Sequence, residues 1–304
     1  MSAKLSNDAT YSLHDLKDWS RPGIWLAVLG HPIAHSLSPH MHNSALEELA
    51  REDSQYSDWN YIRFDIPIQE LPQALDLLHA KKFRGVNLTI PHKVEALPLV
   101  DRVDPDAQSI GAINTLWWRE SGYVGFNTDG YGMETAIKRN LQTRLWDLPV
   151  VLLGAGGAAR AAAMQCLIRG CPEIWIGNRS EGRLNELVGD ILRNYPESKI
   201  HPFLFDSSLV PLPEEALIIN ATSMGLKQED SLPMDISCFS EKSVFFDMIY
   251  TPPQTVMMRA FGVQGISVCN GLDMLVYQGA RALEIWTGLD RVPEDTMRKA
   301  ALSA

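Results

Sequence analysis

Residues 150–168 read VVLLGAGGAARAAAMQCLI, and this stretch decides the fold. Val150 to Leu153 form a short apolar run of the buried-strand type. It breaks at Gly154, Gly156 and Gly157 and continues from Ala158 to Arg169 as an alanine-rich segment of helical length. The stretch is long and apolar enough to suggest a membrane span, but Arg160 at its middle and the three glycines favour strand, turn and helix. In that context the spacing G-x-G-x-x-A at Gly154, Gly156 and Ala159 has a physical meaning. Gly154 permits the tight turn, Gly156 lets a pyrophosphate approach the backbone, and Ala159 allows close packing of helix on strand. The helix start at Gly157 and Ala158 faces the phosphates.

Downstream, Glu173 to Gly177 gives a second strand at the distance where a dinucleotide fold selects its cofactor. An NAD site would end that strand in an acid to accept from the ribose 2′-hydroxyl. Here the chain continues Asn178-Arg179-Ser180-Glu181-Gly182-Arg183, without the acid and with two arginines. Guanidinium groups suit a 2′-phosphate, so NADP is the expected cofactor. Glu181 beside them opposes a phosphate and leaves room for some use of NAD. The plainer alternative is a solvated arginine pair at a helix start, with Ser180 as N-cap. A helix over Arg183–Arg193 and strands at Ala216–Asn220 and Ser243–Asp247 complete this second α/β series.

Upstream, apolar strands are expected at Ile24–Gly30, Tyr61–Ile66 and Gly85–Ile90, with Leu71, Leu75 and Leu78 on one helical face between the last two. This alternation predicts parallel βαβ units over roughly the first 125 residues. Polar clusters end the runs. His35-Ser36-Leu37-Ser38-Pro39 leads into a helix expected from His40, an arrangement that serves equally as a carboxylate site or an N-cap. Asn87-Leu-Thr89-Ile-Pro91-His-Lys93 closes a strand in polar groups, where open sheets display ligand contacts. Asn114-Thr115 and Asn127-Thr128-Asp129-Gly130 repeat an Asn-Thr pair in two further loops. The helical stretch Leu272–Thr287 closes the second series or returns to the first; spacing alone leaves both open.

Composition bounds the function. The 304 residues allow about two domains. With 27 Lys+Arg against 37 Asp+Glu the net charge is −10, which repels polyanions and argues against nucleic acid or an anionic membrane surface as partner. Cys166, Cys171, Cys238 and Cys269 show no C-x-x-C pattern and no matching histidine cluster, so reduced thiols and no metal site are expected. Met1 to Ser20 lacks the apolar region of a signal peptide, and a cytoplasmic protein is expected.

Taken together, His35-Ser36-x-Ser38-Pro39, Asn87-x-Thr89-x-Pro91-x-Lys93, Asn114-Thr115, Asn127-Thr128-Asp129-Gly130, Gly154-x-Gly156-Gly157, Asn178-Arg179-Ser180, Asn220-Ala-Thr222-Ser223-Met-Gly225, Asp247-x-x-Tyr250-x-Pro252 and Gly271-x-x-Met274-Leu-x-x-Gln278-Gly279 resemble the shikimate dehydrogenase family, in family order from about Gly30 to Gly288. The first twenty or so residues look like an extension, and Ser180 stands where the family often has Thr. The resemblance implies a two-domain α/β protein. Residues 1–128 and 271–304 would form an α/β substrate-binding domain, to which the C-terminal helices return, and 129–270 a Rossmann-type NADP-binding domain, with the active site in the cleft between them. It implies Lys93 and Asp129 as the catalytic pair. Ser36, Ser38 and Tyr250 would hold the substrate carboxylate, and Thr89, Asn114 and Gln278 the ring hydroxyls. Gly154, Gly156, Gly157, Ala158, Asn178, Arg179, Ser180, Arg183, Thr222, Met248, Gly271 and Met274 would bind the cofactor.

The implied reaction is reversible reduction of 3-dehydroshikimate to shikimate with NADPH, a step of aromatic amino acid (chorismate) biosynthesis, with a homodimer left open as the assembly. Two alternatives stand beside it: a mixed quinate/shikimate dehydrogenase, against which Ser38 leans because quinate-preferring relatives often carry Thr there, and a non-catalytic ligand-binding regulator, against which the retention of Lys93 and Asp129 argues.

Overall fold

The computed structural model describes residues 5–207 and 210–304, so the first four residues of the expected N-terminal extension lie outside it. The chain divides into two compact units, one made of the residues up to Tyr131 with Val276–Ala304, the other of Gly132–Leu275.

The first unit contains strands β1 (Thr10–Tyr11), β2 (Ile24–Gly30), β3 (Trp59–Asp65), β4 (Gly85–Leu88), β5 (Arg102–Val103), β6 (Thr115–Arg119) and β7 (Gly122–Phe126) in one sheet of order β1-β3-β2-β4-β6-β7-β5. Its helices are α1 (Leu13–Lys17), α2 (Ser38–Glu52), α3 (Leu71–Ala80), α4 (His92–Glu95) and α5 (Pro105–Ile110). Prolines in the first turn of α2 and α3 cost no hydrogen bond there. Leu71, Leu75 and Leu78 on α3 are buried, as their spacing requires, in a core that also takes Leu29 of β2, Phe64 of β3 and Leu88 of β4.

The expectation of parallel βαβ units holds for β1, β3, β2 and β4 and fails at β6, beyond which β7 and β5 run parallel to each other. β6 pairs antiparallel with both β4 and β7, so the sheet is mixed. The reason is a hairpin: only Glu120 and Ser121 separate β6 from β7, too few residues for a crossover. This departure builds the site. Because β6 runs against β4, its first residue Thr115 lies opposite Asn87 near the end of β4, and Phe126 at the end of β7 lies opposite Thr115. The ends of β2, β4 and β7 and the start of β6 therefore share one edge of the sheet.

The second unit carries β8 (Val150–Leu153), β9 (Ile174–Asn178), β10 (Ile200–Leu204), β11 (Leu217–Asn220), β12 (Val244–Asp247) and β13 (Ser267–Cys269), all parallel, in the order β10-β9-β8-β11-β12-β13. Numbered within the unit this is 3-2-1-4-5-6, the doubly wound dinucleotide topology. Strands β10 and β13 add to those read from the sequence, where Pro202 and the shortness of β13 obscure the pattern. The helices here are α7 (Gly157–Ile168), α8 (Glu181–Asn194) and α9 (Val256–Val263).

Helices α6 (Asp129–Leu141) and α10 (Leu272–Thr287) each begin in one unit and end in the other. The later part of α10 belongs to the first unit. Its Trp286 is fully buried, donates from Nε1 to the Leu116 carbonyl at 2.9 Å, and packs where Gly85 of β4 has no side chain. The last helix, α11 (Glu294–Ser303), packs against α2.

Candidate active site

At the shared edge of the first sheet the polar clusters of the sequence converge. Lys93, on the short helix α4 after β4, places Nζ 2.6 Å from Asp129 Oδ2 at the start of α6. Both side chains are partly buried, at 30% and 16% exposure. Asn114, just before β6 and 2% exposed, donates from Nδ2 to Asp129 Oδ1 at 3.0 Å and to Gln278 Oε1 of α10 at 3.3 Å. Its Oδ1 accepts from the Thr128 backbone N–H at 2.8 Å. Asn127 Oδ1 accepts from the backbone N–H groups of Asp129 and Gly130, which shapes the turn into α6. Lys93, Asp129, Asn114 and Gln278 thus form one cluster. A partly buried ammonium against a carboxylate with further amide donors can hold hydroxyl groups and deliver a proton.

Ser36 and Ser38 follow the end of β2. The helix starts at Ser38, not at His40 as expected, because Pro39 fits its first turn. The residue in the N-cap position, Leu37, makes no side-chain cap, and Ser36 Oγ accepts from the Ser38 backbone N–H at 3.3 Å. Thr89 is half-buried beyond β4. Tyr250, half-buried after β12, belongs to the second unit, where burial raises the pKa of its phenol.

Sequence reading missed several residues that support this cluster. Arg63 of β3 is 4% exposed, and its guanidinium donates to Thr10 Oγ1 at 2.9 Å, to the Ser36 carbonyl at 3.0 Å and to the Asp8 carbonyl, which ties the Ser36 loop to β3. A charged residue between Ile62 and Phe64 in an otherwise apolar strand was the available signal. Tyr61 is also a buried polar partner, as are Asn87 and Thr128, which stand in the sequence motifs but had no role assigned there. Nothing in a single strand residue such as Tyr61 separates a buried hydroxyl with a partner from plain core.

In the second unit Gly154 follows β8 with φ +118°, and a Cβ there would lie 2.9 Å from the Ala221 carbonyl oxygen beyond β11. Only glycine fits both the conformation and the approach. Gly156 and Gly157 have open space where a Cβ would stand, and Gly157 begins α7. Asn178 ends β9 and donates to the Ser180 carbonyl at 2.9 Å. Ser180 occupies the N-cap position of α8 without a side-chain cap bond, so the plainer reading of this segment loses its capping contact. Arg179 and Arg183 are exposed, and neither pairs with a carboxylate among the described residues. A glycine cradle at a helix start, with free guanidinium groups beyond the next strand, fits a dinucleotide carrying an extra phosphate.

The remaining residues lie along the same edge. Thr222 Oγ1 donates to Asn220 Oδ1 at 2.7 Å and shapes the loop after β11. Met248 follows β12, and Gly271 is held so close that a Cβ would lie 2.3 Å from the Met248 carbonyl oxygen. Met274 is half-buried on α10. The sequence reading assigned Asp247 no role. Burial raises its pKa, while its carboxylate accepts from Asn220, Thr255 and the Ile249 N–H, an internal brace for these loops.

Comparison with known proteins places the chain. Residues 28–116 match the shikimate dehydrogenase substrate binding domain and residues 271–302 the shikimate 5′-dehydrogenase C-terminal domain. The shikimate dehydrogenase (NADP(+)) of Symbiobacterium thermophilum is 37% identical over 93% of this chain and 95% of its own length. That of Thermus thermophilus is 40% identical over 90% and 97%. A crystal structure of shikimate 5-dehydrogenase from Thermus thermophilus, in complex with NADP(H) and shikimate, superposes with a TM-score of 0.76 at 37% identity over 92% of this chain and 99% of that one.

Proposed function

The chain belongs to the shikimate dehydrogenase family and is an NADP-dependent oxidoreductase acting on shikimate; on that premise we propose the residue roles by which it works. The first unit binds the substrate and the second the cofactor. Ser36 and Ser38, with Tyr250, hold the substrate carboxylate, and Thr89, Asn114 and Gln278 hold its ring hydroxyls. The Gly154–Ala158 turn and helix start carry the pyrophosphate. Asn178, Arg179, Ser180 and Arg183 receive the 2′-phosphate, and Thr222, Met248, Gly271 and Met274 complete the pocket.

The bound cofactor supplies the hydride that reduces the ketone of 3-dehydroshikimate to the alcohol of shikimate. Charge then develops on the ketone oxygen. The Lys93 ammonium stabilises that charge and gives the oxygen its proton, and in the reverse direction the neutral amine takes the proton back. Asp129 holds Lys93 in place and accepts from a substrate hydroxyl, and Asn114 and Gln278 keep that carboxylate oriented. The same reading takes the protein as cytoplasmic and leaves a homodimer open as its assembly, to be tested by sedimentation of the purified chain.

The observation that carries these roles is the 2.6 Å contact of Lys93 with Asp129 inside a polar cluster that the first unit assembles from four chain segments. Positioned acid catalysis contributes about 10² to 10⁴ in rate. Lys93→Met, which keeps the stem and removes the charge, should lower kcat within that range while NADP affinity stays near wild type. Retention of more than about a tenth of wild-type kcat, above what loss of such catalysis allows, would leave Lys93 a binding residue only.

A further inference from the structure

The hydrogen bonds beneath the catalytic pair run in one direction, and they start at a tyrosine the mechanism above does not use. Tyr61 of β3 is 1% exposed, and its hydroxyl donates to Asn87 Oδ1 at 2.8 Å. That bond fixes which end of the Asn87 amide is which. Its Nδ2 then donates to the Asn114 carbonyl at 3.1 Å and to Thr115 Oγ1 at 3.0 Å. Thr115, having accepted, donates its own proton to Asn114 Oδ1 at 3.0 Å. With Oδ1 facing Thr115 and the Thr128 N–H, the Asn114 amide turns Nδ2 toward Asp129 Oδ1 at 3.0 Å, and Lys93 takes the other carboxylate oxygen. Each group accepts from the one before and donates to the one after as far as Asn114, whose amide the Thr128 backbone N–H holds in the same sense, while Thr115 Oγ1 also lies 3.2 Å from Thr128 Oγ1.

The phenol is also built to stay where it is. His42 of α2 stacks on its ring at 4.2 Å between centroids and 5° between planes, and Trp286 of α10 stands 6.2 Å away. Burial raises the pKa of the Tyr61 hydroxyl well above the ordinary tyrosine range, against the lowering effect of a side-chain hydrogen bond with Ser38, so it remains a donor at every working pH. Core packing accounts for the ring but not for the oxygen, since β3 places Phe64 in the core without one.

We propose that Tyr61 is a positioning residue for the dehydrogenase reaction: its hydroxyl orients Asn87 and, through Thr115 and Asn114, holds the Asp129 carboxylate toward Lys93. The proposal rests on the catalytic roles given above for Lys93 and Asp129.

The test compares the full-length wild type with Tyr61→Phe, Thr115→Val and the double variant, by steady-state kinetics with shikimate and NADP. Either single variant should lower kcat/KM for shikimate about tenfold, the scale of one buried hydrogen bond, with KM for NADP unchanged. Loosening the Asn114 bond to Asp129 displaces the Lys93–Asp129 pair from its place for proton transfer, so the larger share of the loss should fall on kcat and the smaller on KM for shikimate. The double variant should be no worse than the poorer single one, because both cut the same chain.

Effects that add, or a loss confined to KM for shikimate, would overturn the proposal while leaving the catalytic roles standing. A wild type that does not turn over shikimate would overturn both. Should Tyr61→Phe lose its fold in thermal unfolding, Thr115→Val, which keeps a β-branched shape in β6, decides the matter by the same split of kcat against KM.

Discussion

His42 is fully buried on α2, and among the described residues neither of its ring nitrogens finds a hydrogen-bond partner. Burial alone pulls its pKa down to about 3. In the unfolded chain the same imidazole titrates near its ordinary value of 6.5. Below that pH the unfolded state takes up a proton that the folded state refuses, until the pH approaches 3. Stability is therefore intact above 6.5 and is lost as pH falls, with a slope approaching about 1.4 kcal/mol per pH unit for one proton. Replacing His42 with Phe keeps a flat ring against Tyr61 and removes the titration. The difference in thermal midpoint between His42→Phe and wild type should shift in favour of the variant as pH is lowered from 6.5 toward 4. A constant difference across that range would mean that the histidine is protonated in the fold.

At the scale of elements, the segment from β9 into α8 sets cofactor choice. Arg179 and Arg183 stand free beyond the strand end, where an NAD site has its acid. The double variant Arg179→Ala, Arg183→Ala should lower kcat/KM for NADP and leave that for NAD nearly unchanged, which collapses the NADP/NAD ratio. An unchanged ratio would make the pair a surface feature. This element was legible in the sequence because its signals are local: an apolar strand, a glycine turn and a missing acid lie within thirty-odd residues of one another. The hairpin of β6 and β7 was not. Trp117 and Trp118 at its far end are half-buried, and Tyr123 and Val124 are buried in succession, so no clean alternation marks two strands. The polar cluster was legible as residue types and loops, but the bonds of Tyr61 and Arg63 join residues far apart in the chain, and no spacing rule reaches them.

Taken whole, the molecule depends on its chain end returning to its beginning. Trp286 fills the space above Gly85 so closely that a Cβ there would lie 2.2 Å from the indole. Both backbone and ring are buried, so neither can yield without disturbing α10, which also carries Gln278 to Asn114. Gly85→Ala should cost about 1 to 3 kcal/mol as an overpacked core site, read as a lower unfolding midpoint. An unchanged midpoint would show that the helix is free to shift.

The central claim, that these two units together carry out NADP-linked chemistry on shikimate, has a direct measurement: initial rates of cofactor reduction by the purified full chain with shikimate or quinate, each against NADP and NAD. The structure predicts the highest kcat/KM for shikimate with NADP. No NADP reduction with shikimate, or a higher kcat/KM with quinate or with NAD, would contradict it.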